Sequence, residues 1–336
     1  MRLQYSFIIP VYNRPEEIEE LLVSFVNLQT TLNFEIVIVE DGSSETSEAV
    51  VNSFKDRLNI AYFYKENSGP GDSRNFGMHN AKGNYFIILD SDCVLPSNYL
   101  NEVDASLSSD YVDCFGGPDA ADSSFTNLQK AINFSMTSFI TTGGIRGNKN
   151  QIGKFQPRSF NMGLSKVAFK ASNGFGTIHP GEDPDLSIRL WGLGFQTKLF
   201  PDAFVYHKRR ISWSKFYKQV YKFGKVRPIL NTWHPHTSKI TYWFPTLFIL
   251  GLLIAIVAFV FQFKWFLLCY LAYFILAFFL ALLQSKSIIV ALLAIPAILV
   301  QFEGYGYGFL KSFVNIQLFK KDAERVFPEL FFKLSK

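Results

Sequence analysis

Two carboxylates one residue apart, Asp90-Ser91-Asp92, close a short apolar run from Tyr85 to Leu89. Acids so spaced at the end of a buried strand can both turn toward one hard cation, which takes oxygen ligands and shares them with phosphates. The chemistry suggested is a Mg²⁺ or Mn²⁺ site, and a solvated turn built on an Asx motif is the plainer alternative. Asp41 follows a second apolar run, Phe34 to Glu40, and opens Asp41-Gly42-Ser43-Ser44, whose serines can cap a helix. Its carboxylate either accepts a hydrogen bond from a base N–H or a ribose hydroxyl, or shapes the turn. Arg74 falls in the first turns of a helix opened by Asn67-Ser68-Gly69-Pro70-Gly71-Asp72, where a guanidinium suits a diphosphate or a surface ion pair. Glu182 and Asp183 stand at another helix start, between Gly181 and Pro184. Acids there offset the helix macrodipole by roughly 0.3 to 1 kcal/mol, or offer an exposed carboxylate for proton transfer.

These groups need elements to hold them. Short apolar runs rich in β-branched and aromatic residues recur at Tyr5 to Pro10, Phe34 to Glu40, Ile60 to Tyr64, Tyr85 to Leu89 and Tyr111 to Phe115, as buried strands do. Helical spacing lies between them, as in Pro15 to Leu28, where Ile18, Leu21, Leu22, Phe25 and Leu28 share a face. Alternating strands and helices predict an α/β fold with a doubly wound, mostly parallel sheet, whose ligands bind beyond the strands' carboxyl ends. The residues just past those ends are Val11-Tyr12-Asn13, Asp41-Gly42-Ser43 and Asp90-Ser91-Asp92. After Gly116 the alternation weakens. Gly143 to Gln156 reads as a basic loop carrying Arg146, Lys149 and Lys154, either solvated or ordering over a ligand. A strand from Ser159 to Gly163, a helix from Ser165 and a helix from Asp183 to Leu193 follow, in a part expected to bind the acceptor of a transferred group.

The chain of 336 residues divides sharply in composition, because from Phe244 to Phe302 the only lysine or arginine residues are Lys264 and Lys286. Phe244 to Phe263 and Trp265 to Leu283 are each long enough to span hydrocarbon. Ile288 to Val300 is short and holds Pro296, so it spans with tilt, re-enters or lies in the interface. Ahead of them Lys208, Arg209, Arg210, Lys215, Lys218, Lys222, Lys225 and Arg227 form an acid-free basic cluster, as the positive-inside rule asks of a cytoplasmic flank. Lys215 to Leu230 reads as an amphipathic helix in the headgroup plane, in contact with membrane lipids. Trp213, Tyr217 and Tyr221 among the bases also suit nucleic acid, but the apolar segment that follows at once favours a membrane and no nucleic-acid partner. Lys311, Lys320, Lys321 and Arg325 favour a cytoplasmic location for the residues after the apolar region, which an odd number of full spans forbids. Cys93, Cys114 and Cys269 read as reduced thiols, and Gln4 to Pro10 is too short for a signal peptide. The expected division is a soluble catalytic domain over 1–210, a basic interfacial segment over 211–235 and a multi-pass membrane region over 240–336, the catalytic domain being cytoplasmic.

The pieces together resemble the inverting family 2 glycosyltransferases of the GT-A fold. The matching runs are Phe7-Ile8-Ile9-Pro10-Val11-Tyr12-Asn13-Arg14, Ile36-Val37-Ile38-Val39-Glu40-Asp41-Gly42-Ser43, Gly69-Pro70-Gly71-Asp72-Ser73-Arg74-Asn75, Leu89-Asp90-Ser91-Asp92 and Gly181-Glu182-Asp183-Pro184-Asp185-Leu186. The resemblance, over about residues 5 to 210, implies a nucleotide-sugar donor with Pro10, Tyr12 and Asp41 around its base and Arg74 on base or diphosphate. It implies Asp90 at the ribose, Asp92 on the metal, Asp183 as general base beside Glu182, and His207 near diphosphate or metal. Asn13 and Ser91 join the donor-binding set. The acceptor class is a saccharide or lipid-linked saccharide, suggested by location alone.

Two departures qualify the resemblance. Glu40 stands where the family often has the first of two aspartates, and the Gln-x-x-Arg-Trp motif of processive members is absent, which disfavours long-chain polymerisation. The rivals are a metal-dependent nucleotidyltransferase and an inactive membrane scaffold. The first would carry a glycine-rich basic loop after the first strand, where this chain has Val11-Tyr12-Asn13-Arg14-Pro15.

Overall fold

The computed structural model describes residues 3–120, 125–143, 154–207 and 212–332, without the side chains of Ala120 and His207. Arg146, Lys149, Lys208, Arg209 and Arg210 lie outside the described residues. By internal contacts the chain forms two compact units. The first comprises Met1–Asp122, Lys154–Lys208 and Phe331–Lys336, and the second comprises Ser123–Gly153 and Arg209–Leu330.

The first unit is built on strands β1 (Tyr5–Val11), β2 (Phe34–Asp41), β3 (Ile60–Lys65) and β4 (Tyr85–Leu89), which run parallel in the order β3-β2-β1-β4. Five shorter or later strands follow before the last: β5 (Cys93–Val94), β6 (Cys114–Gly116), β7 (Asp119–Ala120), β8 (Asn161–Ser165) and β9 (Thr197–Leu199). With β10 (Val205–His207) they extend the main sheet to seven strands, β3-β2-β1-β4-β8-β6-β9, and make a second sheet β5-β10-β7. Only β8 is antiparallel in the main sheet, paired to both β4 and β6, so the sheet is doubly wound and mostly parallel as expected. Two expected strands are displaced. The run Ser159 to Gly163 becomes Asn161–Ser165, because pairing with β4 and β6 sets its limits, and Tyr111 to Phe115 contracts to Cys114–Gly116.

Alternate residues of each strand feed opposite faces. Phe7, Ile9, Ile36, Ile38, Ile87 and Leu89 bury against α1 (Pro15–Val26) and the later helix carrying Tyr99, Leu100 and Val103. Pro15 at the first helical position and Glu16 and Glu17 in the first turn start α1, and Ile18, Leu21, Leu22 and Phe25 are its buried stripe. On the other face Ile8, Val37, Val39, Phe86 and Ile88 pack on Met78, Phe169, Leu186 and Leu190. The helices of this unit, in chain order, are α1, α2 (Glu48–Phe54), α3 (Pro70–Asn80) and α4 (Tyr99–Ser109). The second unit's α5 (Asn127–Thr137) and α6 (Phe139–Thr142) come next in sequence, before α7 (Lys166–Ser172) and α8 (Glu182–Gly192) of the first unit.

In the second unit α5 and α6 are joined by α9 (Trp213–Trp233), α10 (Phe244–Val260), α11 (Trp265–Ser285) and α12 (Ile288–Ser312). Its core is Phe134, Phe248, Ala277, Ala281, Ala291, Ala294, Ile298 and Phe302, in which the alanines let helices approach closely and the larger side chains fill the space between them. The division therefore departs from a single cut near residue 210, since a helix pair from the middle of the catalytic stretch packs among the apolar helices. The expected short third stretch is also corrected, because α12 runs through Pro296 to Ser312 instead of ending near Val300. Three helical segments, Ile240–Val260, Trp265–Ser285 and Ile288–Leu318, are long and apolar enough to cross a membrane. Lys225 on α9, expected in the basic cluster of an interfacial helix, is buried, paired with Glu329 and lying over the rings of Tyr221 and Phe327.

Candidate active site

The loops after β1, β2 and β4 gather on one end of the first unit's sheet. Asp41, the last residue of β2, is buried and fixes the turn into α3: Oδ1 accepts from the Ser68 amide at 3.0 Å and Lys65 Nζ at 2.7 Å, and Oδ2 accepts from the Gly69 amide at 2.9 Å. Gly69 has φ +91, a conformation that favours glycine, and it is the residue before the first turn of α3. Glu40 points inward with no exposure, accepting from Ser43 Oγ, the Ser47 amide at 2.8 Å and the Tyr62 hydroxyl at 3.0 Å. Asn13, itself at φ 53, binds the same turn, with Oδ1 accepting from the amides of Ser44 at 2.8 Å and Glu45 at 3.0 Å. Pro10 is buried within β1, where the ladder to β4 has already ended at Ile8. Tyr12 is 54% exposed and so can offer its ring to a ligand.

Arg74 on α3 is the hub. Its side chain is buried, Nη2 donates to Asp90 Oδ1 at 2.8 Å, Nη1 donates to Glu182 Oε1 at 3.2 Å, and the guanidinium lies 5.3 Å from the Phe175 ring centroid. The surface-ion-pair reading of Arg74 is thus replaced by a buried bridge joining the end of β4 to the start of α8. Two side chains position that bridge. Asn75 exchanges hydrogen bonds of 2.8 Å each with the backbone of Phe175, and Arg189 on α8 donates to Asp185 Oδ2 at 2.9 Å and the Gly174 carbonyl at 2.7 Å.

The two acids at the start of α8 differ in electrostatics. Glu182 is buried, which raises its pKa, yet His179 Nδ1 at 2.8 Å from Oε1 and the Arg74 guanidinium outweigh burial and hold it down at about 2. Asp183 is pushed up to about 6, first by burial and then by the Glu182 charge, against the pull of Arg74, Arg158 and the Ser159 amide. Its Oδ1 is buried with no hydrogen-bond partner among the described residues. Such a carboxylate, left basic near neutral pH, is suited to accept a proton.

Asp90, Ser91 and Asp92 form the turn after β4, with Ser91 Oγ donating to Glu17 Oε2 at 3.0 Å and both acids partly exposed. Among the described residues no group of three or more His, Cys, Asp or Glu side chains is arranged to hold a metal. The backbone of His207 in β10 is the register partner of Cys93, next to Asp92, while its side chain lies outside what is described. The structure thus joins Arg74, Asp90, Glu182 and Asp183 in one cluster, ties Asp41 and Asn13 to neighbouring turns, and leaves Tyr12 without a polar tie to them. Sequence reasoning missed His179, whose one signal is its place just before Pro180-Gly181-Glu182, and Arg158, which no motif marks.

Residues 6–171 match the family model described as glycosyl transferase family 2. An uncharacterized glycosyltransferase of Rickettsia felis is 46% identical over 87 residues, 26% of this chain and 14% of that protein. One from Haemophilus influenzae is 33% identical over 99 residues, 29% of this chain and 39% of that protein. The chain therefore spans well under half the length of these relatives. The mannosyltransferase PcManGT of Pyrobaculum calidifontis, solved with GDP-Man and Mn²⁺, superposes with TM-score 0.56 at 16% identity, covering 96% of this chain and 89% of that one. Residues 6–171 are thus a glycosyl transferase family 2 domain, on a GT-A-like fold.

Proposed function

We infer that the protein is a membrane-anchored inverting glycosyltransferase, which moves a sugar from a nucleotide-sugar donor to a saccharide or lipid-linked acceptor. The observation that carries this reading is Asp183, basic near neutral pH, with an unpartnered Oδ1, beside the buried bridge of Arg74 with Asp90 and Glu182. Transfer with inversion needs a base to take the acceptor hydroxyl's proton as its oxygen attacks the anomeric carbon on the face opposite the leaving diphosphate. Asp183 takes that proton. Glu182 keeps Asp183 basic through its charge and keeps Arg74 in place. Arg74 sets its charge against the departing diphosphate, Asp90 meets the ribose, and Pro10, Tyr12, Asn13, Asp41 and Ser91 shape the nucleotide's seat.

Asp90 and Asp92, hard oxygen donors one residue apart, are with His207 the residues that would hold Mg²⁺ or Mn²⁺, in a site the diphosphate oxygens would complete. The cation, when bound, supplies charge compensation for the diphosphate. The shared fold with a mannosyltransferase that binds GDP-Man and Mn²⁺ supports this part of the reading. Residues 240–318 anchor the chain, with the first unit on the cytoplasmic side behind the lysines of α9.

The test is to incubate the full chain in membranes or detergent with a panel of nucleotide sugars and Mn²⁺ or Mg²⁺ and follow nucleotide release. Release that is lost in Asp183→Asn supports the reading, and turnover that survives both Asp183→Asn and Asp92→Ala overturns it.

A further inference from the structure

Phe332 has no place in any motif, yet it touches both halves of the site. Its amide donates to the Thr177 carbonyl at 2.9 Å, and Phe331 forms an antiparallel bridge with Ile178. Its ring lies against Gly69 so closely that a Cβ there would stand 2.3 Å from Phe332 Cγ, and its centroid is 6.0 Å from the His179 ring. Gly69 is the residue whose amide holds Asp41 Oδ2, and His179 is the residue whose Nδ1 holds Glu182. One aromatic ring therefore fills the gap between the turn that sets the nucleotide's seat and the segment that sets the acids of α8.

We propose that Phe332 is a positioning residue for donor binding: by wedging between Gly69 and His179 it fixes the distance between the Asp41-held turn and the Glu182–Arg74 bridge. The proposal rests on the donor-site reading above. It follows from packing physics, because a close-packed aromatic that abuts a glycine with φ +91 leaves that turn no room to relax inward. With a small side chain at 332 the turn gains that room, and Asp41 and Arg74 lose their mutual register before any reacting group is touched.

Phe332→Ala and Phe332→Leu, made in the full chain, separate the possibilities. The expected result for Phe332→Ala is a KM for the nucleotide sugar raised about tenfold with kcat changed less than about twofold, and recovery of most of that loss in Phe332→Leu, which refills the gap. Amide hydrogen exchange at Ser68 and Gly69 is expected to quicken about tenfold in Phe332→Ala while exchange in β1 and β2 stays unchanged. An unchanged KM, an equal fall of both kinetic parameters with no rescue by leucine, or unaltered exchange at Ser68 and Gly69 would overturn the proposal. If the unmodified protein releases nucleotide from no donor, the functional reading fails by itself, and the exchange measurement still decides whether Phe332 sets the turn.

Discussion

Arg74 Nη1 and Glu182 Oε1 lie 3.2 Å apart although 108 residues separate them in sequence. Both side chains are nearly inaccessible, at 4% and 5% of their surface. Removing Arg74 leaves the buried Glu182 charge to His179 alone, at 2.8 Å, and takes from Asp90 its guanidinium partner. Arg74→Ala is therefore expected to lower unfolding free energy by about 3 kcal/mol, as measured by denaturant titration. A loss under about 1 kcal/mol would show that water or a neighbouring group takes over the pairing.

Asp183→Asn is expected to reduce kcat by about a thousandfold without unfolding the protein. The stability effect has a definite sign. A carboxyl raised to about 6 costs the folded state nothing below its ordinary value of 3.8, and the cost is fully present above about 6. The asparagine variant should thus melt higher than the parent at pH 8 and close to it at pH 4, in paired calorimetric scans.

The activity profile should share that origin. With Asp183 as the proposed base, transfer needs it ionised, so kcat is expected to fall as pH drops below about 6. In Glu182→Gln the neighbouring charge is gone, and the acidic limb should move to lower pH. A limb that stays put in the glutamine variant would remove Glu182 from the tuning of Asp183.

Asp41 holds two backbone amides and the Lys65 ammonium, so Asp41→Ala strands several donors at once. A loss of about 2 to 4 kcal/mol is expected from chemical denaturation. Asp92→Ala tests the proposed cation site. Its expected phenotype is weaker Mn²⁺ binding by calorimetry and an activity loss of about a hundredfold or more.

Much of this architecture can be read from the amino-acid order, for a physical reason. Strands such as Phe34–Asp41 are buried on both faces, so they appear as unbroken apolar runs, and the acid that ends each run marks the mouth of the sheet. Four of the five strands of two or three residues, β5, β7, β9 and β10, carry no period of their own and exist only through pairing with distant partners, the fifth being β6. Helix α5 escaped notice because its buried residues Ile132, Phe134 and Met136 pack on later helices of the second unit, a destination no local pattern encodes. Within the site, acids at element ends were visible beforehand. His179 became meaningful only once Glu182 stood 2.8 Å away, and Phe332 only once its ring met Gly69.

The bridge between Ile178 and Phe331 also bears on the bilayer. The polypeptide leaves the first unit at Lys208 and rejoins it at Phe331, so both flanks of residues 209–330 share one compartment. With that region anchored as proposed, traversals of the hydrocarbon must come in pairs, although three helices have the length to make one. Helix α12 is the natural exception, since its second half carries Gln301, Glu303 and Lys311, Glu303 accepts from the Tyr217 hydroxyl, and Gly304 and Gly308 seat it against α9. On the proposed anchoring, an even number of traversals keeps Lys320, Lys321 and Arg325 on the side of the bilayer from which the chain entered it.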